Sequence, residues 1–173
     1  MKPIHTLATG LILSACSYVP IDTLRQLSQL DPMTADPASI AVRFHLPQGL
    51  DMPEGSAVLT LDTKNTAGAE LNEVYVLRRA SHAGDVVFRV APNDLERLRA
   101  QQAAVKTWGE EESDGTLRVG IEDLCTIGAG PPPDARLSTA ISLDAGDTFL
   151  PLVTDISLSE VLEQGEFSEL APC

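Results

Sequence analysis

Residues 40–46, Ile40-Ala41-Val42-Arg43-Phe44-His45-Leu46, decide how the chain is organised. Large apolar side chains occupy every second position, whereas Ala41, Arg43 and His45 fill the positions between them. Successive side chains of a β-strand point to opposite faces, so this period of two buries one face and leaves the other near water. The stretch therefore predicts a half-buried strand that ends at Pro47.

Six further segments carry strand patterns. They lie at residues 57–61, 71–78, 84–90, 117–121, 137–143 and 148–158. The segment at 71–78 is apolar on both faces, which predicts an inner position in the sheet. Pro151 cannot donate a hydrogen bond to a neighbouring strand, so the last segment is predicted to be an edge strand or to bend there.

A helix at residues 93–108 interrupts the strand patterns. Asn93 stands three residues before Glu96, which is the spacing of a capping box. The helical period predicts an apolar face of Leu95, Leu98 and Val105 and a wet face of Arg97, Arg99, Gln101 and Gln102.

These patterns together predict a mainly β fold, an antiparallel β-sandwich of about seven strands crossed by one helix. The alternative is a two-layer α+β arrangement in which the helix lies flat on one sheet. In both, residues 39–173 form a single globular β-rich domain, because a chain of 173 residues is one domain's worth.

The chain is acidic, with 12 basic and 25 acidic residues and a formal net charge of −13. The excess lies in the last third, where residues 119–173 hold Arg136 as the only cation against ten carboxylates. This charge disfavours nucleic acid and anionic membrane surfaces as partners, because both are negative. The acidic third either keeps the protein soluble or forms a face that meets a basic partner.

Residues 1–16 have the order of an export signal, with Lys2, a short apolar run and small residues before a cysteine. The apolar run is far shorter than the roughly 20 residues that a membrane-spanning helix needs. The last four positions resemble the lipobox of bacterial lipoprotein precursors, which signal peptidase II recognises; they are Leu13, Ser14, Ala15 and Cys16. An ordinary cleaved signal with an incidental cysteine is the alternative.

The resemblance implies that residues 1–15 are a lipoprotein signal peptide and that the Cys16 thiol receives a diacylglycerol. It also implies cleavage after Ala15 and acylation of the new amino group. Each acyl methylene buried in the bilayer contributes about 0.8 kcal/mol, so several chains anchor a protein stably. Ser17 stands where many lipoproteins of the Gram-negative inner membrane carry Asp, which implies the outer membrane, with the domain facing the periplasm.

Residues 16–38 are predicted to tether the domain to the lipid. Apolar residues recur every third position around Asp22, a good N-cap, and predict a short amphipathic helix; they are Ile21, Leu24, Leu27 and Leu30. This helix could lie on the membrane or dock onto the domain. Docking is favoured because the helix offers only Arg25 to attract anionic lipid.

With the lipid on Cys16, the resemblance leaves Cys125 and Cys173 as an even pair. In an oxidising periplasm the two can form a disulfide, which stabilises a chain mainly by closing a long loop in its unfolded state. Two free thiols are the alternative.

Two loops resemble ligand-binding sites in composition but not in the spacing of their residues. Residues 110–115 carry four carboxylates but not the ligand spacing of an EF-hand, so a solvated loop is predicted. Residues 128–133 are glycine-rich, but they lack the Lys-Ser/Thr pair of a phosphate loop and run into three prolines. They predict a stiff surface loop.

Few other residues carry chemistry. His45 is predicted on the outward face of a strand and His82 in a turn, and no pair is spaced to hold a transition metal. Arg78 and Arg79 could contact a carboxylate or phosphate group, or they could be the solvated end of a strand. The sequence therefore predicts no catalytic residue, no metal site and no cofactor.

Three hypotheses for function remain. The first is a membrane-anchored envelope lipoprotein that binds or scaffolds a protein partner without catalysis. The second is a carrier or chaperone for an apolar ligand, which needs an apolar cavity. The third is an envelope hydrolase, which needs His45 or His82 beside a serine or a carboxylate in a cleft.

Overall fold

The structure of the protein is a computed structural model, and it describes residues 33–82, 85–109, 113–164 and 170–173. Strands hold 48% and helices 18% of the described residues, so the prediction of a mainly β fold is confirmed. The predicted signal peptide, the lipobox and the tether helix fall outside the described residues.

Among the described residues, seven long strands form one antiparallel sheet and three short strands form a second. The strands in chain order are β1 (Ala41–His45), β2 (Leu50–Asp51), β3 (Ala57–Asn65), β4 (Glu70–His82), β5 (Asp85–Val90), β6 (Ser113–Ile121), β7 (Cys125–Thr126), β8 (Arg136–Ser142), β9 (Leu150–Ser157) and β10 (Ala171–Pro172). The large sheet has the order β6-β3-β4-β5-β1-β8-β9 and is curled. Its members are the seven predicted strands, and β4 has the predicted inner position.

The described part of the chain also contains a 3-10 turn (Pro37–Ser39) and the helices α1 (Pro92–Lys106) and α2 (Leu158–Gln164). Helix α1 is the predicted crossing helix. Among the residues that the structure describes, no helix is both long and apolar enough to pass through a bilayer.

The predicted capping box at the start of α1 is wrong. The N-cap is Ala91, and Pro92 occupies the first helical turn, where its fixed φ and missing N–H cost nothing. Backbone contacts with β4 hold this start instead, because the Ala91 N–H donates to the Val76 carbonyl at 2.9 Å. The Val76 N–H in turn donates to Asp94 Oδ2 at 2.7 Å.

The predicted wet face of α1 is also wrong at two positions, since Gln101 and Gln102 are only 5% and 8% exposed. Tyr75 Oη donates to Gln101 Oε1 at 2.5 Å. Gln101 Nε2 donates to the carbonyls of Leu61 and Leu71 at 2.9 and 3.0 Å. These bonds fasten α1 across β3 and β4.

The core lies inside the curl of the large sheet. Val42 and Phe44 of β1 are buried, whereas His45 is exposed, as the alternation predicts. Phe44 meets Phe88 of β5 edge to face, with ring centroids 5.7 Å apart. Burying each such side chain stabilises the fold by about 1.5 to 3 kcal/mol, so the inward faces of the strands supply much of the stability.

The small sheet holds the disulfide. Strand β7 pairs antiparallel with β2 and parallel with β10. Cys125 and Cys173, the predicted pair, are bonded in the structure, with Sγ atoms 2.06 Å apart and Cα atoms 4.9 Å apart. The Cys173 N–H also donates to the Thr126 carbonyl at 3.0 Å. The bridge therefore joins Cys173, the last described residue, to strand β7.

Candidate binding groove

An apolar groove opens between the two edge strands of the large sheet, β6 and β9. Its volume is about 520 Å³, and it reaches down to Phe44 and Leu137, which are 1% and 3% exposed. The other apolar side chains that line it are Val119, Ile121, Leu152, Val153, Ile156 and Val161. We call this feature the lateral groove.

The two strands that flank the lateral groove cannot pair with each other in an antiparallel ladder. All neighbouring strands of the large sheet are antiparallel, so strand direction alternates across the sheet. With seven strands, the first and the last run in the same direction, and β6 is therefore parallel to β9. A sheet of antiparallel pairs closes on itself without a parallel pair only when the number of strands is even.

Strand β6 presents regular backbone groups at its free edge. The Glu122 N–H donates to the Ser56 carbonyl at 2.7 Å, and the β3–β6 register continues from this pair without a shift. Hydrogen-bonded and non-bonded pairs alternate in an antiparallel ladder, so every second residue counted back from Glu122 bonds to β3. The N–H and C=O groups of the intervening residues, which include Leu117, Val119 and Ile121, point away from β3. Of these three, Val119 and Ile121 line the groove.

The edge of β9 is irregular. Pro151 has no N–H to offer, and Asp155 has a positive φ of 52°. The β8–β9 register also shifts on either side of Thr139. Bulges and prolines are the devices by which natural sheets blunt an edge. The prediction of an edge strand at Pro151 is confirmed. Among the described strands, β6 is left as the edge with continuous pairing capacity.

Exposed carboxylates lie on the two strands that flank the lateral groove. Glu122 and Asp123 follow β6 directly, and both are exposed. Asp155 is exposed on β9. Arg118 also borders the groove, but its guanidinium is paired with Asp62. The acidic last third of the sequence therefore contributes negative charge at the C-terminal end of β6 and on β9.

A second cleft, of about 1040 Å³, lies between residues 44–50 and residues 127–132. The Gly-rich loop predicted to be stiff forms one wall. Gly49 has a φ of +88°, and a Cβ there would lie 2.3 Å from the Gly130 carbonyl oxygen, so the two backbones pack directly. His45 lies in this cleft opposite Ser138 of β8, whose Oγ accepts from the Asp155 N–H at 3.0 Å.

The structure places the remaining sequence-predicted residues away from the lateral groove. Arg79 Nη1 lies 3.0 Å from Asp51 Oδ1 and donates to the Met52 carbonyl at 2.9 Å. Arg78 Nε lies 4.0 Å from a carboxylate of the same loop. These contacts tie β4 to the loop after β2, and an anion contact at the two arginines stays a prediction. The side chain of His82 and residues 110–112 lie outside the described residues.

Six titratable groups among the described residues have displaced pKa values, and none of them lines the lateral groove. The displacement is large at Tyr75 and Asp144. Burial, with the nearby charge of Glu73 as a smaller cause, raises the pKa of Tyr75 to about 12. Hydrogen bonds from Ser142 and Thr148 lower the pKa of Asp144 to about 2. Both shifts report local hydrogen bonding and packing rather than a reactive centre.

The groove has the features with which proteins bind extended chains or acyl groups, namely apolar walls and strand edges that pair with no other described strand. Within the described residues, no group of three or more His, Cys, Asp or Glu side chains is placed to hold a metal ion. Comparison of the chain with protein-family models, with curated proteins and with solved structures finds no match.

Proposed function

We propose that the protein is a lipoprotein of the bacterial cell envelope whose domain binds a protein partner without catalysing a reaction. The observation that carries the binding proposal is the lateral groove, where side chains of the core face an opening between two sheet edges. Its apolar side chains are buried or half-buried, and a concave apolar surface that opens to solvent is the usual form of a binding site. The partner would cover this surface.

The proposed location is the outer membrane, with the acylated Cys16 in the bilayer and the domain in the periplasm. The lipobox at residues 13–16 and the Ser17 that follows it support this location. A disulfide between Cys125 and Cys173 fits an oxidising compartment, since such bonds persist outside the cytosol.

Replacing the acylated residue tests the anchor. We expect Cys16→Ser to leave the domain folded and to release the protein from the membrane fraction, because serine cannot form the thioether. Ser14→Ala is the matched control and should stay membrane-bound, since alanine is also small. Ser17→Asp should move the protein to the inner membrane. Retention of Cys16→Ser in the membrane fraction would contradict the lipoprotein proposal.

Crosslinking in cells tests the partner. A photoreactive amino acid at Val119 lies in the lateral groove, and one at the exposed Ala103 of α1 is the control. We expect a protein neighbour to be captured from position 119 and not from position 103, and mass spectrometry identifies it. Failure to capture any protein above background at position 119 would count against a scaffold or binding role.

A carrier of an apolar ligand is the second candidate, and the apolar lining of the same groove favours it. A volume of about 520 Å³ lies in the range of small-molecule sites. Native mass spectrometry of protein recovered from cells should then show added mass, and Leu152→Gln should reduce it because a polar amide in the wall disfavours an acyl chain. A bare mass for the unsubstituted protein would exclude this candidate.

A further inference from the structure

We propose that the partner contributes one extended segment, which adds to β6 as an antiparallel eighth strand and places alternate apolar side chains in the lateral groove. This inference rests on the proposed function, because it names the segment that the groove binds. Strand parity and the hydrogen-bonding capacity of the edges lead to it, and the walls and charges beside the groove then specify the segment.

Strand parity is the first feature. Strands β6 and β9 run parallel to each other across the groove, so they cannot complete the antiparallel pattern by meeting directly. One strand antiparallel to β6 is also antiparallel to β9. Inserting it raises the number of strands in the large sheet from seven to eight. Eight strands are about the number at which side chains alone fill the interior of a closed barrel.

The hydrogen-bonding capacity of the edges is the second feature. The alternation along β6 directs the N–H and C=O groups of Leu117, Val119 and Ile121 away from β3. An incoming strand can pair with all of them in one register. The edge of β9 is interrupted at Pro151 and Asp155, so it can contribute mainly side-chain contacts. We therefore assign β6 as the pairing edge and β9 as the packing wall.

The chemistry of the segment follows from the walls of the groove. Side chains of a strand alternate between faces, so every second residue of the segment would enter the groove. There it would meet Val119 and Ile121 on one wall and Leu152, Val153 and Ile156 on the other. The segment should therefore alternate aliphatic residues with polar ones.

Charge determines the direction in which the segment runs and the residues that precede its apolar part. An antiparallel strand begins where β6 ends, which is next to the exposed carboxylates Glu122 and Asp123. Lysine or arginine residues just before the apolar alternation would meet these carboxylates, and the attraction would favour this orientation over its reverse. The partner segment is thus basic at its N-terminal end and alternately aliphatic after it.

The first test uses a short synthetic peptide with two lysines followed by alternating valine and threonine, labelled for fluorescence anisotropy. We expect the purified full chain, with its disulfide formed, to bind this peptide saturably. A peptide of the same composition with the two lysines at the C-terminal end is the matched control. It should bind about tenfold more weakly, which corresponds to about 1.4 kcal/mol. Equal binding of the two peptides would overturn the assigned direction.

Two protein variants test the edge. Val119→Pro removes an N–H that faces the groove, whereas the N–H groups that bond to β3 remain. Edge strands tolerate proline when its nitrogen faces outward, so β6 should still form. Peptide binding should fall at least about tenfold while the circular dichroism spectrum is unchanged. If this variant does not fold, the double variant Glu122→Lys/Asp123→Lys tests the same edge, because both positions are exposed. It should weaken binding of the peptide that begins with lysine by a similar factor.

Other occupants of the edge give different results. A dimer of the full chain that Val119→Pro converts to monomer would assign the edge to a second copy. Peptide binding that appears only after residues 17–32 are deleted would assign it to this chain's own N-terminal segment. Either result would overturn strand addition by a partner.

The inference and the proposed function can fail separately. A neighbour identified by crosslinking can be tested against the folded Val119→Pro variant and the charge-reversed variant. If it binds both variants as well as it binds the unsubstituted protein, strand addition is refuted and the partner proposal stands. Absence of any crosslinked neighbour would refute the partner proposal, even where the peptide binds.

Discussion

Replacing Gln101 with methionine tests the buried polar contact that fastens α1 to the sheet. Tyr75 is fully buried, and its hydroxyl donates to Gln101 Oε1 at 2.5 Å. Methionine has a similar volume but no acceptor of comparable strength, so the variant leaves the Tyr75 hydroxyl unpaired inside the core. Tyr75→Phe makes the reciprocal change and leaves Gln101 Oε1 unpaired.

The expected magnitudes follow from which groups lose their partners. In Gln101→Met the Leu71 carbonyl still accepts from Thr63 Oγ1 at 2.9 Å, and the Leu61 carbonyl belongs to the β3–β4 ladder. The tyrosine hydroxyl is the main loss, and a buried unpaired group costs about 2 kcal/mol. Tyr75→Phe should cost a similar amount. Replacing both partners with apolar groups removes the orphan, so the double variant should cost about as much as either single one.

Urea denaturation followed by circular dichroism measures the free energy of unfolding of the four proteins. We expect a coupling energy of about 2 kcal/mol between the two substitutions. Additive effects, with the double variant about 4 kcal/mol less stable than the unsubstituted protein, would refute the claim that this bond holds α1 in place. Unchanged stability in Gln101→Met would refute it as well.

The pH dependence gives a separate check on the burial of Tyr75. The folded-state pKa of Tyr75, raised to about 12, exceeds the ordinary value of about 10. Folding thus favours the neutral form of the tyrosine. The resulting contribution to the free energy of unfolding is complete below pH 10 and is lost as the pH rises to about 12. Unfolding free energy should fall by up to about 1.4 kcal/mol per pH unit in that window. Tyr75→Phe should lack this decline.

Two further predictions concern the periphery of the fold. Cys173→Ser opens a disulfide that spans 48 residues to Cys125, and the chain-entropy relation predicts a loss of about 4 kcal/mol of stability; an unchanged thermal midpoint would contradict it. Ser142→Ala removes the main hydrogen bond to Asp144 and should raise the pKa of that carboxyl toward its ordinary 3.8. The unsubstituted protein should keep this contribution to stability above pH 3.8 and lose it as the pH falls to about 2, and NMR titration of the Asp144 side chain decides.

The strands could be predicted from the sequence because each carries its burial pattern locally. In β1, Val42 and Phe44 alternate with Arg43 and His45, and this period alone separates a buried face from an exposed one. Pro151 identified the edge strand for an equally local reason, since a proline cannot donate to a ladder.

Local reasoning failed where a residue's role depends on a distant partner. Gln101 reads as a solvent-facing helix residue, but Tyr75 from β4 turns it into a buried acceptor. Asn93 has the spacing of a helix cap, but Pro92 begins the helix because Val76 bonds both to Ala91 and to Asp94. Tyr75 and Val76 both lie in β4, so no pattern within α1 reveals either of them.

The lateral groove was beyond sequence reasoning for the same reason. Val119 and Ile121 look like ordinary core positions of a strand, and Leu152 and Val153 look the same. That they face one another across an opening depends on the order of the strands and on the curl of the sheet. Those are properties of all seven strands together.

The sequence by itself determined the mainly β class, the location of the strands and the acidity of the last third, because period, turn residues and charge are local quantities. It also supplied the lipobox resemblance and, through that, the pairing of Cys125 with Cys173. Only the tertiary structure decided which strands lie at the edges and which backbone groups stay free there. Strand order and ladder register come from contacts between segments far apart in the chain, and the open edge of β6 exists only once those contacts have formed.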